Sequence, residues 1–356
     1  MKAKSLQFGK AMSAALFVLL LNVVGLKNAL AQNLVATLQH GDDISMYYGS
    51  NAFVQAHEAA QTGDIITLSS GTFNPTTITK AITLRGAGCC MDTVTGIYPT
   101  IFENSITANV SDNENSLTIE GILFNSTFYF GILNNPRFIK CNLDYLYNYN
   151  NSSMMQNAQF VDCMIYGISG FTRNSSIYAT NTQFANCYVL LNRSECTDGT
   201  HISITNSIIG FPQAGTIDGL SAINSIFYFA NTAGYSAYMS TTSSSFYNCI
   251  SIKISDLFTN QTNSTNMSMS NLQDVFETFN GSYNGFEGLI YERFILKSDF
   301  ASSFLGNDGT EVGIHGGQAP YNPRPNYMVL KQCNVANQST IDGKLSVEIQ
   351  VVSEGE

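Results

Sequence analysis

Seven segments in the middle of the chain repeat one short pattern. Each reads as a polar residue, an apolar residue, a variable residue, a pivot, and then a small or apolar residue. The segments are Leu117–Phe124, Arg137–Leu143, Gln159–Ile165, Gln183–Val189, Ser203–Ile209, Ser221–Phe227 and Ser245–Ile250. The pivots are Gly121, Lys140, Asp162, Asn186, Asn206, Asn224 and Asn248. Six of the seven are Gly, Asn or Asp, which enter the left-handed backbone region at the least steric cost.

The spacing of the pivots predicts the architecture. Successive pivots are 19, 22, 24, 20, 18 and 24 residues apart. A loose unit of about twenty residues is typical of a solenoid, in which the strands of successive coils stack on one another. Stacked strands lie about 4.8 Å apart, so about nine coils would form a rod on the order of 40 Å long. We therefore predict an all-β solenoid.

The cysteines support a stacked interior. Of the eight in the chain, four follow a pivot directly, and serines take the same position in two intervening coils. These residues are Cys141, Cys163, Cys187 and Cys249, with Ser207 and Ser225. Alternation of Cys and Ser at one position indicates a buried column of small side chains. The alternative is a disulfide between adjacent coils, because stacked strands lie within the Cα separation that a disulfide tolerates. The remaining cysteines, Cys89, Cys90, Cys196 and Cys333, fit no pattern.

Residues 1–31 have the parts of an export signal peptide. Lys2 and Lys4 make a basic start, Ala14–Leu26 is mostly apolar, and Ala29–Ala31 matches a cleavage site of small residues. The apolar run is too short to span a bilayer. We therefore expect an exported mature chain that begins near Gln32 and does not insert into a membrane. Periplasm, outer surface and extracellular space remain open as locations.

Charge limits the partners of the chain. Only 12 % of the residues are charged and the formal net charge is −10. An acidic chain without basic clusters is a poor binder of nucleic acid or of an anionic membrane. The negative net charge also disfavours polyanionic polysaccharides, so we expect a neutral polysaccharide or another surface component as the partner.

The region before the repeats carries a recognisable order of elements. An Ala-rich helix signal at Asn51–Gln61 leads through Gly63-Asp64 into an apolar strand, then Gly71–Phe73, then a strand that ends at Gly86. This order resembles the start of secreted right-handed parallel β-helix proteins of the pectin-lyase-like superfamily. Two tail elements, at 307–310 and 316–317, resemble those of uncharacterised bacterial members. The resemblance implies a right-handed parallel β-helix, and it says little about activity because one fold hosts many functions.

These signals divide the chain into four parts. We expect a signal peptide at 1–31, a lead-in strand and capping helix at 32–62, and the β-helix coils at 63–258. The fourth part, 259–356, holds a polar loop, the last strands and a C-terminal strand region that caps the other end or packs along the side. An open solenoid end has unpaired backbone groups, which is why caps are expected.

A catalytic site would need charged side chains in neighbouring outward columns. The resemblance implies acidic calcium ligands beside an Arg or Lys base in lyases, and paired carboxylates in glycosidases. Neither outward column of this chain contains two carboxylates. The best remaining set is Arg137, Lys140 and Asp162, with Arg137 or Lys140 as the base and Asp162 as a ligand or charge partner. The alternative is a surface ion pair of little energetic value.

A binding site has better candidates. Tyr145, Tyr147 and Tyr149 recur every second residue and would project to one side of an extended segment. Gln159 and Gln183 occupy one outward column. Tyrosine rings stack on sugars, and amides bind their hydroxyl groups. The alternative for the tyrosines is packing against the solenoid flank.

No metal or cofactor is expected. The four histidines are scattered along the chain, and no cysteine pair has partners at zinc-site spacing. The segment Asn307–Glu311 contains oxygen ligands but lacks the alternating acids of a calcium loop, so we interpret it as a turn. Our leading hypothesis is an exported, non-catalytic protein that presents a polar and aromatic flank to a neutral glycan. The alternatives are a polysaccharide lyase or glycoside hydrolase with a divergent site, and a structural or adhesive spacer.

Overall fold

The structure is a computed structural model. It describes residues 34–92, 96–112, 116–173, 176–230, 237–241, 243–259, 261, 265–277, 294–324, 328–335 and 347–353. The expected signal peptide lies outside the described residues. Among the helices of the described ranges, none is long and apolar enough to cross a membrane.

Two large sheets of stacked strands form a parallel β-solenoid. Sheet A has eleven strands, which in stacking order are Asp43–Tyr48, Val35–His40, Ile65–Leu68, Thr83–Arg85, Thr118–Glu120, Arg137–Ile139, Gln159–Val161, Gln183–Ala185, Ile202–Thr205, Leu220–Ile223 and Ser245–Tyr247. The first two are antiparallel and the other nine are parallel, so the described strands of sheet A delimit about eight full turns. This confirms the predicted all-β solenoid; its handedness stays a prediction.

Most strands of sheet B follow the strand of sheet A in their coil, while Ile106–Val110, Met154–Gln156 and Ala179–Thr180 lie later in their coils. The thirteen strands of sheet B are Gly71–Thr72, Thr100–Phe102, Ile106–Val110, Ile122–Asn134, Asn142–Asn148, Met154–Gln156, Met164–Ser169, Ala179–Thr180, Tyr188–Leu191, Ile208–Phe211, Ile226–Phe229, Ile250–Ile252 and Met267–Met269. Three small sheets complete the strands: Thr172–Arg173 with Ser176–Ile177; Gly215–Thr216 with Ala237–Ser240 and Ile254–Ser255; and Met328–Val335 with Val347–Ser353.

The pivots turn the chain from sheet A to sheet B. All seven predicted pivots have positive φ, between 45° at Asn206 and 66° at Gly121. A second ladder of positive-φ residues precedes the strands of sheet A, and the sequence analysis missed it: Asn135, Asn157, Asn181, His201 and Gly219. Each coil from Asn135 to Gly219 is therefore bounded by two left-handed corners, one on each side of its strand in sheet A.

The interior is a stack of identical or similar side chains. Phe138, Phe160 and Phe184 occupy one column, with ring centroids 4.8 Å and 5.1 Å apart and nearly parallel planes. The column of Cys and Ser behind the pivots is buried, and its cysteines are free thiols, which confirms the small-residue column. Its members also bind backbone amides in the neighbouring coil, as in the 3.0 Å bond from Cys187 N to Ser207 Oγ.

The N-terminal elements differ in detail from the prediction. The expected single lead-in strand is a two-stranded hairpin that turns at Gly41. The expected helix spans Ala52–Ala59, and Phe53 packs edge-to-face on Phe102 with centroids 5.2 Å apart. The helix begins after Asn51 without a side-chain cap. Capping of the solenoid end stays a prediction.

The C-terminal region packs along the side of the solenoid. Leu272–Asp274 forms a short 3₁₀ turn. The helix Ser298–Ser303 leads into residues 304–324, which we call the strap. The strap covers the outer face of sheet B, where Ile314 and Tyr321 join Tyr188, Ile208 and Ile226 in a second apolar cluster.

The strap runs against the stacking order and binds one pivot after another. Asn307 and Asn224 exchange two 2.9 Å hydrogen bonds. Asn186 Nδ2 donates to Ile314 O at 3.1 Å and to Gly316 O at 2.9 Å. Gly317 has φ +84°, and any side chain there would collide with the amide of Asn206. The pivots therefore serve both as corners and as anchors for the strap.

Candidate functional site

A polar groove lies on the outer face of sheet A. Its volume is about 480 Å³, and it crosses five consecutive coils. Its polar lining residues are Asn157, Asn181, Gln183, His201, Ser203, Ser221, Ser243 and Ser245. The strap lies over sheet B and the pivots, so sheet A keeps this face open to solvent.

The second ladder of left-handed residues forms one wall of the groove. Asn157 Nδ2 donates to Asn135 Oδ1 at 2.9 Å, and Asn181 Nδ2 donates to Asn157 Oδ1 at 3.1 Å. Asparagine suits this position because it tolerates positive φ and its amide binds the amide one coil away. His201 and Gly219 continue the ladder with φ of 48° and 68°. The wall is thus a row of amides followed by a histidine and a glycine.

The floor of the groove consists of outward side chains from sheet A. Gln183 stands in register with Gln159 on one side and Ser203 on the other. Further along, Ser245 Oγ donates to Ser221 Oγ at 3.1 Å. Alternation along each strand puts these residues outside while Phe160, Phe184 and their equivalents point inside. The floor offers donors and acceptors at a step of about 4.8 Å.

Two carboxylates accept hydrogen bonds from one serine at the rim of the groove. Ser243 N donates to Asp218 Oδ1 at 3.2 Å, and Ser243 Oγ donates to Asp198 Oδ1. Gly219 N in turn donates to Ser243 Oγ at 3.4 Å. The two aspartates come from turns of adjacent coils. Neither aspartate was predicted, because both lie before the strands, outside the columns aligned on the pivots.

The predicted binding residues fall on two separate sheets. Gln183 lines the groove and Gln159 stands on the neighbouring strand. Tyr145, Tyr147 and Tyr149 lie instead on sheet B, in the strand Asn142–Asn148 and the residue after it. From the sequence we expected all five residues to lie on one flank of the solenoid. The structure separates the glutamines from the tyrosines, because a left-handed corner lies between the two strands of each coil.

The tyrosines form an aromatic patch with one further member. Tyr145 is 37 % exposed and Tyr149 is 57 % exposed, while Tyr147 is half-buried. Tyr129 from the preceding coil lies 6.1 Å from Tyr147 and 6.2 Å from Tyr149, centroid to centroid. Tyr145 and Tyr147 are stacked at 6.2 Å. Tyr129 is in register with Tyr147, and repeat alignment beyond the pivot could have found it.

The predicted catalytic candidates do not share an exposed site. Arg137 is exposed on sheet A. Lys140 and Asp162 are only 7 % and 8 % exposed, at pivots beneath the strap, and Lys140 Nζ donates to Arg324 O at 2.8 Å. Burial raises the pKa of Asp162 to about 7, against the opposing effects of the Lys140 charge and the backbone of Asn322. Residues 321–324 thus separate these two groups from solvent.

The turn Asn307–Glu311 is stabilised by its own side chains. Thr310 N and Oγ1 donate to Asp308 Oδ1 at 3.0 Å and 2.7 Å. These hydrogen bonds lower the pKa of Asp308. Within the described part of the chain, no group of three His, Cys, Asp or Glu side chains is placed to hold a metal ion.

The fold places the chain in the class of parallel β-solenoid proteins. No family model matches the chain, and neither the curated proteins nor the solved structures that were compared with it include a match. The fold class therefore follows from the stacked strands alone.

Proposed function

We propose that the protein is an exported β-solenoid that binds a neutral glycan in the polar groove of sheet A. The observation that carries the proposal is the lining of the groove. Apart from the imidazole of His201, the polar side chains of the lining are amides and hydroxyls, which pair with sugar hydroxyls and place no carboxylate or ammonium group on the floor against an uncharged ligand. The net charge of −10 also disfavours a polyanionic partner.

The spacing of the coils supports an extended ligand. Groups along the floor recur about every 4.8 Å, and Gln159, Gln183 and Ser203 stand in one line across three coils. A chain of sugar rings laid across the strands would meet a new amide or hydroxyl on each coil. We infer that the groove binds several residues of a polysaccharide rather than a single sugar.

The aromatic patch gives the proposal a second contact surface. Tyr145 and Tyr149 are exposed and Tyr129 and Tyr147 support them. Flat rings at a solvent-facing position stack on sugar faces, and their hydroxyl groups remain free to bind. Because the patch is on sheet B, we infer a surface that acts separately from the groove.

Binding isotherms with soluble neutral and acidic polysaccharides test the proposal. We expect binding to a neutral member, weakened about 3- to 10-fold by Gln183→Ala, since one net hydrogen bond is worth about 0.5–1.5 kcal/mol. Gln213→Ala is the matched control, because Gln213 is exposed and outside the groove lining. Equal losses in both variants would contradict the groove as the site. Absence of binding to every member would favour the structural or adhesive spacer.

A second candidate function, glycan hydrolysis, is favoured by the pair Asp198 and Asp218. Glycosidases use two carboxyl groups on opposite sides of the bond that they cleave, and these two converge on Ser243 at the rim. Release of new reducing ends from the same polysaccharides measures this activity. Release that disappears in Asp198→Asn and Asp218→Asn, with no unsaturated end in the product, would establish a hydrolase; binding without release would leave the non-catalytic proposal in place.

A further inference from the structure

The cysteines of the chain differ in their access to solvent. All seven with a described side chain are free thiols. Cys90 is half-buried, whereas the other six are buried: Cys89, Cys141, Cys163, Cys187, Cys196 and Cys249. A dissolved oxidant therefore meets Cys90 first among these thiols.

Cys90 is paired with its neighbour in the chain. The side-chain hydrogen bond between Cys89 and Cys90 is the first cause of the pKa shifts of both thiols. This bond, together with the charge of Arg324, lowers the pKa of Cys90 against the opposing effects of burial and Asp92. The same bond and burial raise the pKa of Cys89. Because the thiolate is the nucleophile in thiol–disulfide exchange, Cys90 is the attacking member and Cys89 the resolving one.

The pair also touches the end of the strap. Cys89 Sγ lies 3.9 Å from Pro323 O, within hydrogen-bonding distance for sulfur. Tyr321 is buried close by, and its hydroxyl has no hydrogen-bond partner among the residues that the structure describes. Residues 321–324 are the last part of the strap that lies along the pivots. A covalent change at Cys89 therefore acts directly on the anchoring of residues 321–324.

We propose that Cys89 and Cys90 are a redox-active dithiol that closes to a vicinal disulfide and so loosens the end of the strap. The oxidant is a small disulfide. The Cys90 thiolate attacks one of its sulfurs, the S–S bond breaks, and one thiol leaves. Cys89 then gives its proton to solvent and attacks Cys90 Sγ, which expels the second thiol. Two electrons pass to the oxidant, which becomes two thiols.

The geometry of neighbouring residues makes such a bridge strained and therefore easy to reverse. Adjacent Cα atoms are about 3.8 Å apart, which is shorter than the roughly 4.4–6.8 Å that unstrained disulfides span. Strained disulfides are the easily reduced ones. Export, which the N-terminal sequence predicts, would bring the pair into a compartment where disulfides form. The bridge would then open and close with small changes in the thiol–disulfide balance.

Peptide mapping of the reduced full-length protein in glutathione redox buffers tests the proposal. After alkylation of the remaining thiols, we expect the peptide that contains both cysteines to be about 2 Da lighter than the unalkylated peptide. Cys90→Ser removes this product. Cys196→Ser, at a buried cysteine away from the strap, is the control and retains it. In the oxidised protein, the amide of Tyr321, which donates to Ile314 O at 2.7 Å, exchanges faster.

Four results would each overturn the proposal or its link to the strap. Both thiols could remain open to alkylation in the most oxidising buffer. Cys90 could stop at a mixed disulfide with glutathione, or it could bridge to another cysteine. Unchanged exchange at Tyr321 in the closed form would overturn the link to the strap. The wild-type peptide map decides the first point even where Cys90→Ser fails to fold.

Discussion

At the scale of single residues, the pivots combine two roles that usually belong to different positions. Asn is favoured there because it accepts positive φ, and its side chain then projects from the corner toward the strap. Lys140 and Asp162 take the same backbone conformation at φ of 52° and 53°. They are buried because the strap covers them, which sets their chemistry apart from that of surface charges.

The raised pKa of Asp162 makes a prediction about pH. A carboxyl whose pKa is higher in the folded state binds its proton more tightly there, so it stabilises the fold at low pH. This contribution is full below the unfolded value near 4 and is lost as pH rises through about 7. The groups facing Asp162 are Lys140 and the backbone of Asn322. We expect Asp162→Asn to be more stable than wild type at pH 8 by at most about 4 kcal/mol.

Urea unfolding of both proteins between pH 4 and pH 8 measures this difference. The stability of wild type relative to Asp162→Asn should fall across that interval. Asp144→Asn, at an exposed aspartate on sheet B, controls for the removal of a carboxylate. Parallel pH curves for wild type and Asp162→Asn would show that burial does not perturb this group.

At the scale of elements, the strap is held by a small number of polar contacts over an apolar face. Its apolar residues pack on the outer side of sheet B, and its backbone and Asn307 bind the pivots. Apart from the isolated bridge between Leu305 and Glu311, the segment consists of turns, bends and irregular chain. Its position therefore depends on side chains of the solenoid rather than on a ladder of its own.

Asn224 is the pivot at which this dependence is best tested. Asn224→Gly keeps the left-handed corner and loses both bonds to Asn307, whereas Asn224→Ala also adds about 1–2 kcal/mol of left-handed strain. We expect losses of about 1–2 kcal/mol for Gly and about 2–4 kcal/mol for Ala in urea unfolding. In both variants the amide of Asn307, which donates to Asn224 Oδ1, should exchange faster.

Asn248 provides the matched control. It is also a pivot, with φ of 50°, but within the described ranges its Oδ1 has no hydrogen-bond partner. Asn248→Gly should therefore leave the exchange of Asn307 unchanged. Equal destabilisation by Asn224→Gly and Asn224→Ala would argue against strain at the corner.

At the scale of the whole molecule, the two sheets have different surroundings. Sheet A leaves its outer face in water and carries the polar groove. Sheet B is covered by the strap across its later coils, and its aromatic patch lies in the earlier coils Ile122–Asn134 and Asn142–Asn148. Each coil contacts mainly its neighbours, as in other solenoids, so the strap is the element that ties distant coils together.

The sequence alone determined the repeating architecture. Pivot spacing, residue types with access to positive φ, and the column of Cys and Ser are local signals, and a local steric preference acts wherever the residue stands. Alignment of the coils on their pivots also placed Gln159 and Gln183 in one outward column. Tertiary structure decided which outward columns are exposed. The strap meets the pivots from more than eighty residues away, as Asn224 and Asn307 show, and no local period encodes a contact of that range. For this reason Lys140 and Asp162 are buried, and the glutamines and tyrosines lie on different sheets.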